Sequence, residues 1–381
     1  MWRRLSIKTV IALVAVALTW WVLARSFGVS GHDLKVIAYS CLRSNAVALA
    51  QPAPSTSPSV NLAHPKLLIV SFDGLRPDLA LRADMPTFRS VLARGSYSFW
   101  ARTTELSVTL PSHTSMLTGV TPARHGITFN DTQEGDYVKT PTLFAVAKQA
   151  GYSTACVAGK RKFVTLAVPG TCDFEWIQDE KSDRVVAQHA AEFIDLHAPD
   201  VLFVHLGAID YTGHGPGWGT PEQIAAIEDA DRALATLIDA LKRRGVFDQT
   251  TMILSADHGG AGRTHGPDDA RSRHIPWVIA GPGIRHNLDL TIFPDLVINT
   301  EDTFATACWA LGITPPANID GKIIPVGESE GELIKVIPST GQVRRGGSGV
   351  GETGVAIKED HAVVEKAHAG DPRPEGLSVR P

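Results

Sequence analysis

The chain contains no C-x-x-C pair and no cysteine–histidine spacing of the zinc-binding kind. Its four cysteines, Cys41, Cys156, Cys172 and Cys308, are therefore poor candidates for metal ligands. It also lacks an excess of either charge: 36 Lys and Arg stand against 40 Asp and Glu, a net −4. That balance gives no broad basic surface, so a nucleic-acid polymer is not an expected partner. No internal repeat is found, and no disorder signature interrupts the middle. What is present is 381 residues, 44% of them hydrophobic, enough for one large globular domain or two small ones.

The N-terminus differs from the rest. Arg3, Arg4 and Lys8 precede an apolar-rich run over 9–24 that Arg25 closes, with Trp20 and Trp21 near its far end. The run is slightly shorter than the ~20 residues of a spanning helix and slightly longer than a signal-peptide core. The tryptophans suit a membrane interface. Residues 1–28 are read as a signal peptide or membrane anchor, with a buried core helix as the alternative. The body is then periplasmic or extracellular, and disulfides become permissible. Cys156 and Cys172 are the closest pair in sequence, but buried free thiols fit equally well. Residues 51–60 (QPAPSTSPSV) read as an extended linker. From Ser339 the chain is Gly-rich and polar, which predicts a disordered tail over 339–381. The folded body is expected over 61–338.

Within it, apolar strand-like runs alternate with amphipathic segments. Buried strands are expected at Lys66–Phe72, 152–157, Val201–Leu206, Thr250–Ser255 and 276–280. Helices are expected at 85–94 with Gly95 as C-cap, at Pro221–Arg244 closed by Gly245, and at 301–311 closed by Gly312. This alternation predicts an α/β fold with a mostly parallel central sheet and helices on both faces. In such folds ligands gather beyond the carboxyl ends of the strands.

The acidic and imidazole residues sit at those ends. Asp73 follows KLLIVSF; Asp210 and His214 follow an apolar run in FVHLGAIDYTGHG; Asp257, His258 and His265 follow another in TMILSADHGGAGRTHG. Carboxylate and imidazole donors from several strand ends are what a two-metal site requires, which points to a metal-dependent hydrolase. Taken alone, Asp73 reads equally as a helix N-cap. The two glycines after His258 let the chain bend so that Asp257 and His258 face one ion. Asp210 and His214 lie four apart, on one side of a helical turn or a compact loop; Gly213 and Gly215 favour the loop. His265 is preferred over His274 as the further ligand, since His274 suits the start of a strand or the surface. Such donors without thiolate suit zinc, and manganese or iron use them too. In SVTLPSHTSMLTG a helix is expected over 111–117, with Thr109 at its N-terminus. There the free amides favour an alkoxide and an anionic phosphoryl group. The alternative is that Thr109 or Ser112 is only an N-cap.

SFDG, T-x-P-S-H, D-x-x-G-H and DHGG-x-G-x-x-HG, in this order, resemble the alkaline phosphatase superfamily. They are most similar to its type I phosphodiesterase/nucleotide pyrophosphatase branch, and the likeness covers most of the body. The resemblance implies two zinc ions, one on Asp73, Thr109, Asp257 and His258, the other on Asp210, His214 and His265, with Thr109 as nucleophile. It implies that Asn130 hydrogen-bonds a nonbridging phosphoryl oxygen; its alternative is a turn residue. No C-x-P-x-R segment occurs, which speaks against a sulfatase. Lys160 and Lys162 in VAGKRKF look like the lysine pair of threonine-using phosphomonoesterases and phosphonoacetate hydrolases; a solvated basic loop is the alternative. Leu110 replaces an aromatic that several nucleotide-cleaving relatives use to stack a base. The implied substrate is a small phosphate ester. The rivals are a phosphotransferase, whose relatives carry several membrane spans, and an inactive scaffold, which would normally have lost a ligand.

Overall fold

Every residue of β1 (Lys66–Phe72) is buried, which is why its sequence is a continuous apolar run rather than an alternating one. The computed structural model describes residues 64–327 apart from positions 134, 268 and 294. The expected leader or anchor over 1–28, the linker over 51–60 and the tail over 339–381 lie outside the described residues.

Eight strands form one sheet in the order β4-β3-β5-β1-β6-β7-β2-β8. They are β1, β2 (Gly95–Arg102), β3 (Thr154–Ala158), β4 (Phe174–Ile177), β5 (Val201–Leu206), β6 (Thr250–Ser255), β7 (His274–Ala280) and β8 (Leu288–Asp289). All neighbours pair parallel except those of β7, which runs antiparallel to both β6 and β2. The mostly parallel α/β reading therefore holds, with one reversed strand that periodicity does not reveal.

The principal helices are α1 (Pro77–Arg82), α2 (Pro86–Ala93), α3 (Thr109–Thr118), α4 (Pro122–His125), α5 (Leu143–Gln149), α6 (Asp183–His197), α7 (Ala208–His214), α8 (Pro221–Arg244), α9 (Ala270–Arg273) and α10 (Asp302–Ala310). They cover the sheet in two groups: α6 and α8 pack on each other, while α3, α5 and α10 pack together. Helix α8 matches its expected ends. Thr220 accepts a hydrogen bond from the Gln223 amide at the start, and Gly245 adopts φ 73° at the end. Gly312 likewise takes φ 69° after α10.

Gly95 differs from expectation. The C-cap of α2 is Arg94, and Gly95 opens β2. A Cβ there would lie 2.0 Å from the Ile279 carbonyl oxygen, so the glycine serves close strand approach. Cys156, Cys172 and Cys308 are free thiols, so the Cys156–Cys172 pairing does not occur. No helix among the described residues is long and apolar enough to cross a membrane.

One buried imidazole makes the fold acid-sensitive away from the strand ends. His125 Nδ1 accepts from the Ile127 amide at 3.0 Å, its Nε2 lies 3.1 Å from Ser115 Oγ, and burial pushes its pKa down from 6.5 to about 4. A depressed histidine contributes stability above pH 6.5 that is lost as pH falls toward 4, because the unfolded chain takes up the proton first. In urea unfolding of chelator-treated protein, the advantage of wild type over His125→Gln should shrink through that window. A constant difference would show that His125 does not titrate this way.

Candidate metal centre

The carboxyl ends of β1, β3, β5 and β6 deliver their side chains to one edge of the sheet. Asp73, Asp257 and His258 form one buried group, and Asp210, His214 and His265 form a second; within each, the candidate ligand atoms lie within 4.8 Å of one another. His258 Nε2 lies 3.4 Å from Asp73 Oδ1 and 3.2 Å from Asp257 Oδ2. In the second group Asp210 Oδ1 lies 3.3 Å from His214 Nε2 and 3.9 Å from His265 Nε2. The groups are contiguous: the His258 and His265 rings stack with centroids 3.7 Å apart.

Two observations fit these residues to cations. First, Asp73 Oδ1, Asp257 Oδ2 and Asp210 Oδ1 are buried with no hydrogen-bond partner, and they are the oxygens that face the imidazoles. A buried carboxylate oxygen without a partner is costly unless a cation takes it. Second, each histidine directs Nδ1 at a backbone carbonyl: His258 at Gly259 (2.8 Å), His265 at Ser107 (2.7 Å), His214 at Arg263 (3.0 Å). A carbonyl only accepts, so Nδ1 carries the proton and the Nε2 lone pair is free for a metal. Ser107 holds φ 49°, in the left-handed region, as it presents that carbonyl.

Lys160 sits between the groups. Its ammonium donates to Asp73 Oδ2 at 2.6 Å and to Asp210 Oδ2 at 2.7 Å, leaving each Oδ1 free. It is 5% exposed, so the solvated-loop alternative does not describe it. Burial opposes its charge, but the carboxylates of Asp73, Asp210 and Asp257 outweigh burial and raise its pKa. Burial likewise opposes ionisation of Asp73; Lys160 and the His205 hydrogen bond prevail and hold it well below the usual range. Asp257, without such a partner, is pushed up to about 7 by burial and by the Asp73 charge. Three carboxylates thus share one lysine ammonium, an excess of negative charge that cations would offset. Lys162 is half-buried beside them; burial, then Lys160, lowers its pKa.

Thr109 is the first residue of α3, which begins two residues earlier than expected. The N-cap is Val108 and no side chain caps the helix, so neither Thr109 nor Ser112 is an N-cap. Thr109 Oγ1 lies 3.4 Å from His258 Nε2 and 1% of the residue is exposed. Asn130 Oδ1 accepts from the Leu110 amide at 2.9 Å, which fixes the side chain with its NH₂ uncommitted by that bond. Leu110 itself is fully buried and presents no face for stacking.

The Asp210–His214 segment is helical, not a loop: both residues lie on α7. Its N-cap, Gly207, has no side chain to offer, and Asp183 from α6 accepts the Ala208 amide instead at 3.0 Å. Asp73 caps no helix, since α1 starts at Pro77 after Arg76. His274 belongs to neither group; it opens β7 and stacks on Trp100 at 3.9 Å.

Three further histidine and tryptophan residues were not singled out by sequence. His205 Nε2 meets Asp73 Oδ2 at 2.8 Å; a histidine inside the apolar run VLFVHL was the available signal. His113, one helical turn after Thr109, donates Nδ1–H to the Thr109 carbonyl at 2.8 Å and its Nε2 meets Ser71 Oγ at 2.7 Å. Trp218 packs against His214 and His265 of the second group and reaches the first only through the neighbouring Gly74 and Gly260; it carried no signal.

Comparison with known proteins gives a consistent picture. Residues 67–269 match the family profile described as type I phosphodiesterase / nucleotide pyrophosphatase. An uncharacterized pyrophosphatase/phosphodiesterase of Schizosaccharomyces pombe is 26% identical over 232 residues, 53% of this chain and 46% of its own length. Ectonucleotide pyrophosphatase/phosphodiesterase family member 7 of Mus musculus is 26% identical over 56% of this chain and 54% of its own. The chain spans about half the length of these curated relatives. Among solved structures, an inactive threonine-to-alanine variant of murine ectonucleotide pyrophosphatase/phosphodiesterase 5 in complex with AMP superposes with TM-score 0.58 at 17% identity, over 68% of this chain and 97% of that one. A 2-O glycosaminoglycan sulfatase superposes at 0.55, also at 17% identity, over 68% and 73%. At that identity these structures share the fold.

Proposed function

Since the chain belongs to the type I phosphodiesterase/nucleotide pyrophosphatase family, we propose that it hydrolyses small phosphoric esters, diesters and pyrophosphates foremost, through a phospho-threonine on Thr109. The observation that carries the reading is the pair of contiguous Asp/His groups with three orphaned carboxylate oxygens beside one buried threonine hydroxyl. Asp73, Asp257, His258 and Thr109 would hold one cation and Asp210, His214 and His265 the other. Zinc is our choice, and manganese and iron are the ions the same donors accept. Such cations supply positive charge to the attacking and leaving oxygens and lower the pKa of the hydroxyl.

The residues of the chain do the rest. The Thr109 oxygen attacks phosphorus in line, the bond to the leaving oxygen breaks, and the phosphoryl group is carried on the threonine. Water then hydrolyses the phospho-threonine and restores the hydroxyl. The Asn130 amide, anchored through its oxygen, donates to a nonbridging oxygen. Of the amides in the first turn of α3, Leu110's goes to Asn130, Ser112's goes to Val108 and Pro111 has none, which leaves the Thr109 amide to face the same region. His113 ties the Thr109 carbonyl to β1 and so fixes where the hydroxyl starts.

A second reading, phosphomonoester hydrolysis, is favoured by one observation: two lysines lie at the site, where a diester would present a single negative charge. Lys160 is already committed to Asp73 and Asp210, so Lys162 is the lysine we assign to the second charge. The test is paired kinetics of the zinc-loaded chain on an aryl phosphate monoester and the matching methyl diester. We expect the diester to be preferred and Lys162→Ala to lower monoester turnover more than diester turnover. Equal losses would remove Lys162 from the phosphoryl group. A zinc-loaded chain that cleaves neither ester would overturn the proposed activity and favour a metal-binding scaffold. For location, the sequence of residues 1–28 supports a body outside the cytoplasm, secreted or tethered.

A further inference from the structure

Three of the motif glycines meet under a single indole. A Cβ at Gly74 would lie 3.3 Å from the Trp218 ring, at Gly213 2.7 Å and at Gly260 2.3 Å. Gly74 follows Asp73, Gly213 precedes His214, and Gly260 follows the Asp257-His258 pair, so each glycine belongs to a different ligand-bearing segment. Gly213 remains in helix α7 although glycine disfavours helices; the indole occupies the space where another residue would put a side chain.

Trp218 is held as firmly as it holds. Its Nε1–H donates to the Gly74 carbonyl at 2.9 Å, and its backbone amide donates to the Gly262 carbonyl at 2.7 Å. Gly74 in turn donates its amide to Asp257 Oδ1 at 3.1 Å, at a φ of 81° that suits glycine. The ring also stands edge-on to His214, with centroids 5.2 Å apart and planes at 86°, and lies 6.0 Å from His265. Only 8% of the residue is exposed. One side chain therefore touches segments that supply ligand candidates to both groups, without itself offering a ligand atom.

We propose that Trp218 is a positioning residue that couples the two ligand groups, setting the spacing of the Asp73 turn, helix α7 and the 257–265 loop so that both cations bind. This rests on the two-cation reading above. The mechanism is packing: shrinking the ring opens a void where the three segments meet, and the bonds that join them elsewhere, Gly74 to Asp257 and Lys160 to Asp73 and Asp210, no longer suffice to hold each ligand set in its fixed geometry.

The experiment is calorimetric titration of the metal-free full chain with zinc, for wild type, Trp218→Phe and Trp218→Ala, with thermal unfolding of each metal-free protein alongside. Wild type is expected to bind two zinc ions. Zinc affinity at both groups should fall by about ten- to a hundredfold in Trp218→Ala. Trp218→Phe, which keeps an aromatic plug but loses the bond to Gly74, should fall between the two. If Trp218→Ala does not fold, the phenylalanine variant decides, and it must bind zinc more weakly at both groups. Wild-type affinity at both groups in a folded variant overturns the proposal and leaves the two-cation reading standing, as does a loss confined to one group. A wild-type chain that binds no zinc overturns both.

Discussion

Thr109→Ala should reduce phosphate ester turnover by at least about 10⁴-fold, the scale seen when a catalytic nucleophile is removed, while leaving the fold and the candidate ligand histidines in place. The reasons lie in the geometry. Thr109 caps nothing, and its hydroxyl makes one long contact, 3.4 Å to His258 Nε2. Alanine is a good residue at the first position of a helix, so thermal stability should change little. What disappears is the hydroxyl that stands beside the His258 imidazole at the N-terminus of α3. Thr109→Ser, which keeps the oxygen, should retain most of the activity. The companion measurement is acid quenching during turnover followed by peptide mass spectrometry. Wild type should show a phosphoryl group on Thr109, and Thr109→Ala none at any residue. Undiminished turnover by the alanine variant, or phosphate trapped on another side chain, would remove threonine from the nucleophile position.

The sequence was a good guide where chemistry and periodicity coincide. Asp73, Asp257 and His258 follow strands whose apolar runs are complete, so the strand ends, and with them the cluster of candidate ligands, could be placed without a structure. Pro221–Arg244 was bounded correctly because its signals are local: Thr220 before, Gly245 after. Other features depend on contacts remote in sequence. Gly95 looks like a helix stop, yet its reason is the Ile279 carbonyl across β7. Gly213 and Gly215 look like a loop, yet α7 persists because Trp218 fills the glycine's side and Asp183 supplies the missing cap. The reversal of β7 leaves no trace in its composition, since a buried antiparallel strand reads like a buried parallel one. Lys160 shows the same limit. A lysine after a strand in VAGKRKF suggests reach toward a ligand; only the fold reveals that two carboxylates 87 and 50 residues away have already claimed it.

Lys160→Met should be the most destabilising substitution at this site in the metal-free chain, by about 3–5 kcal/mol, the cost of leaving buried charges without their partner. Asp73 Oδ2 would retain His205, but Asp210 Oδ2 would lose its lysine and Asp257 would face two carboxylates without the buried ammonium that offsets them. Zinc should then rescue the variant, because a cation replaces the missing charge. The rise in melting temperature on adding saturating zinc should accordingly be larger for Lys160→Met than for wild type, as expected of any ligand that binds only the folded state. Kinetics separate the two roles open to this lysine. If it orients Asp73 and Asp210 so that each Oδ1 faces a cation, the zinc-loaded variant loses monoester and diester turnover alike, and Lys162→Ala shows the selectivity instead. A selective loss of monoester turnover in Lys160→Met would put its ammonium on the phosphoryl group. A metal-free variant within about 0.5 kcal/mol of wild type would mean that the carboxylates do not depend on it.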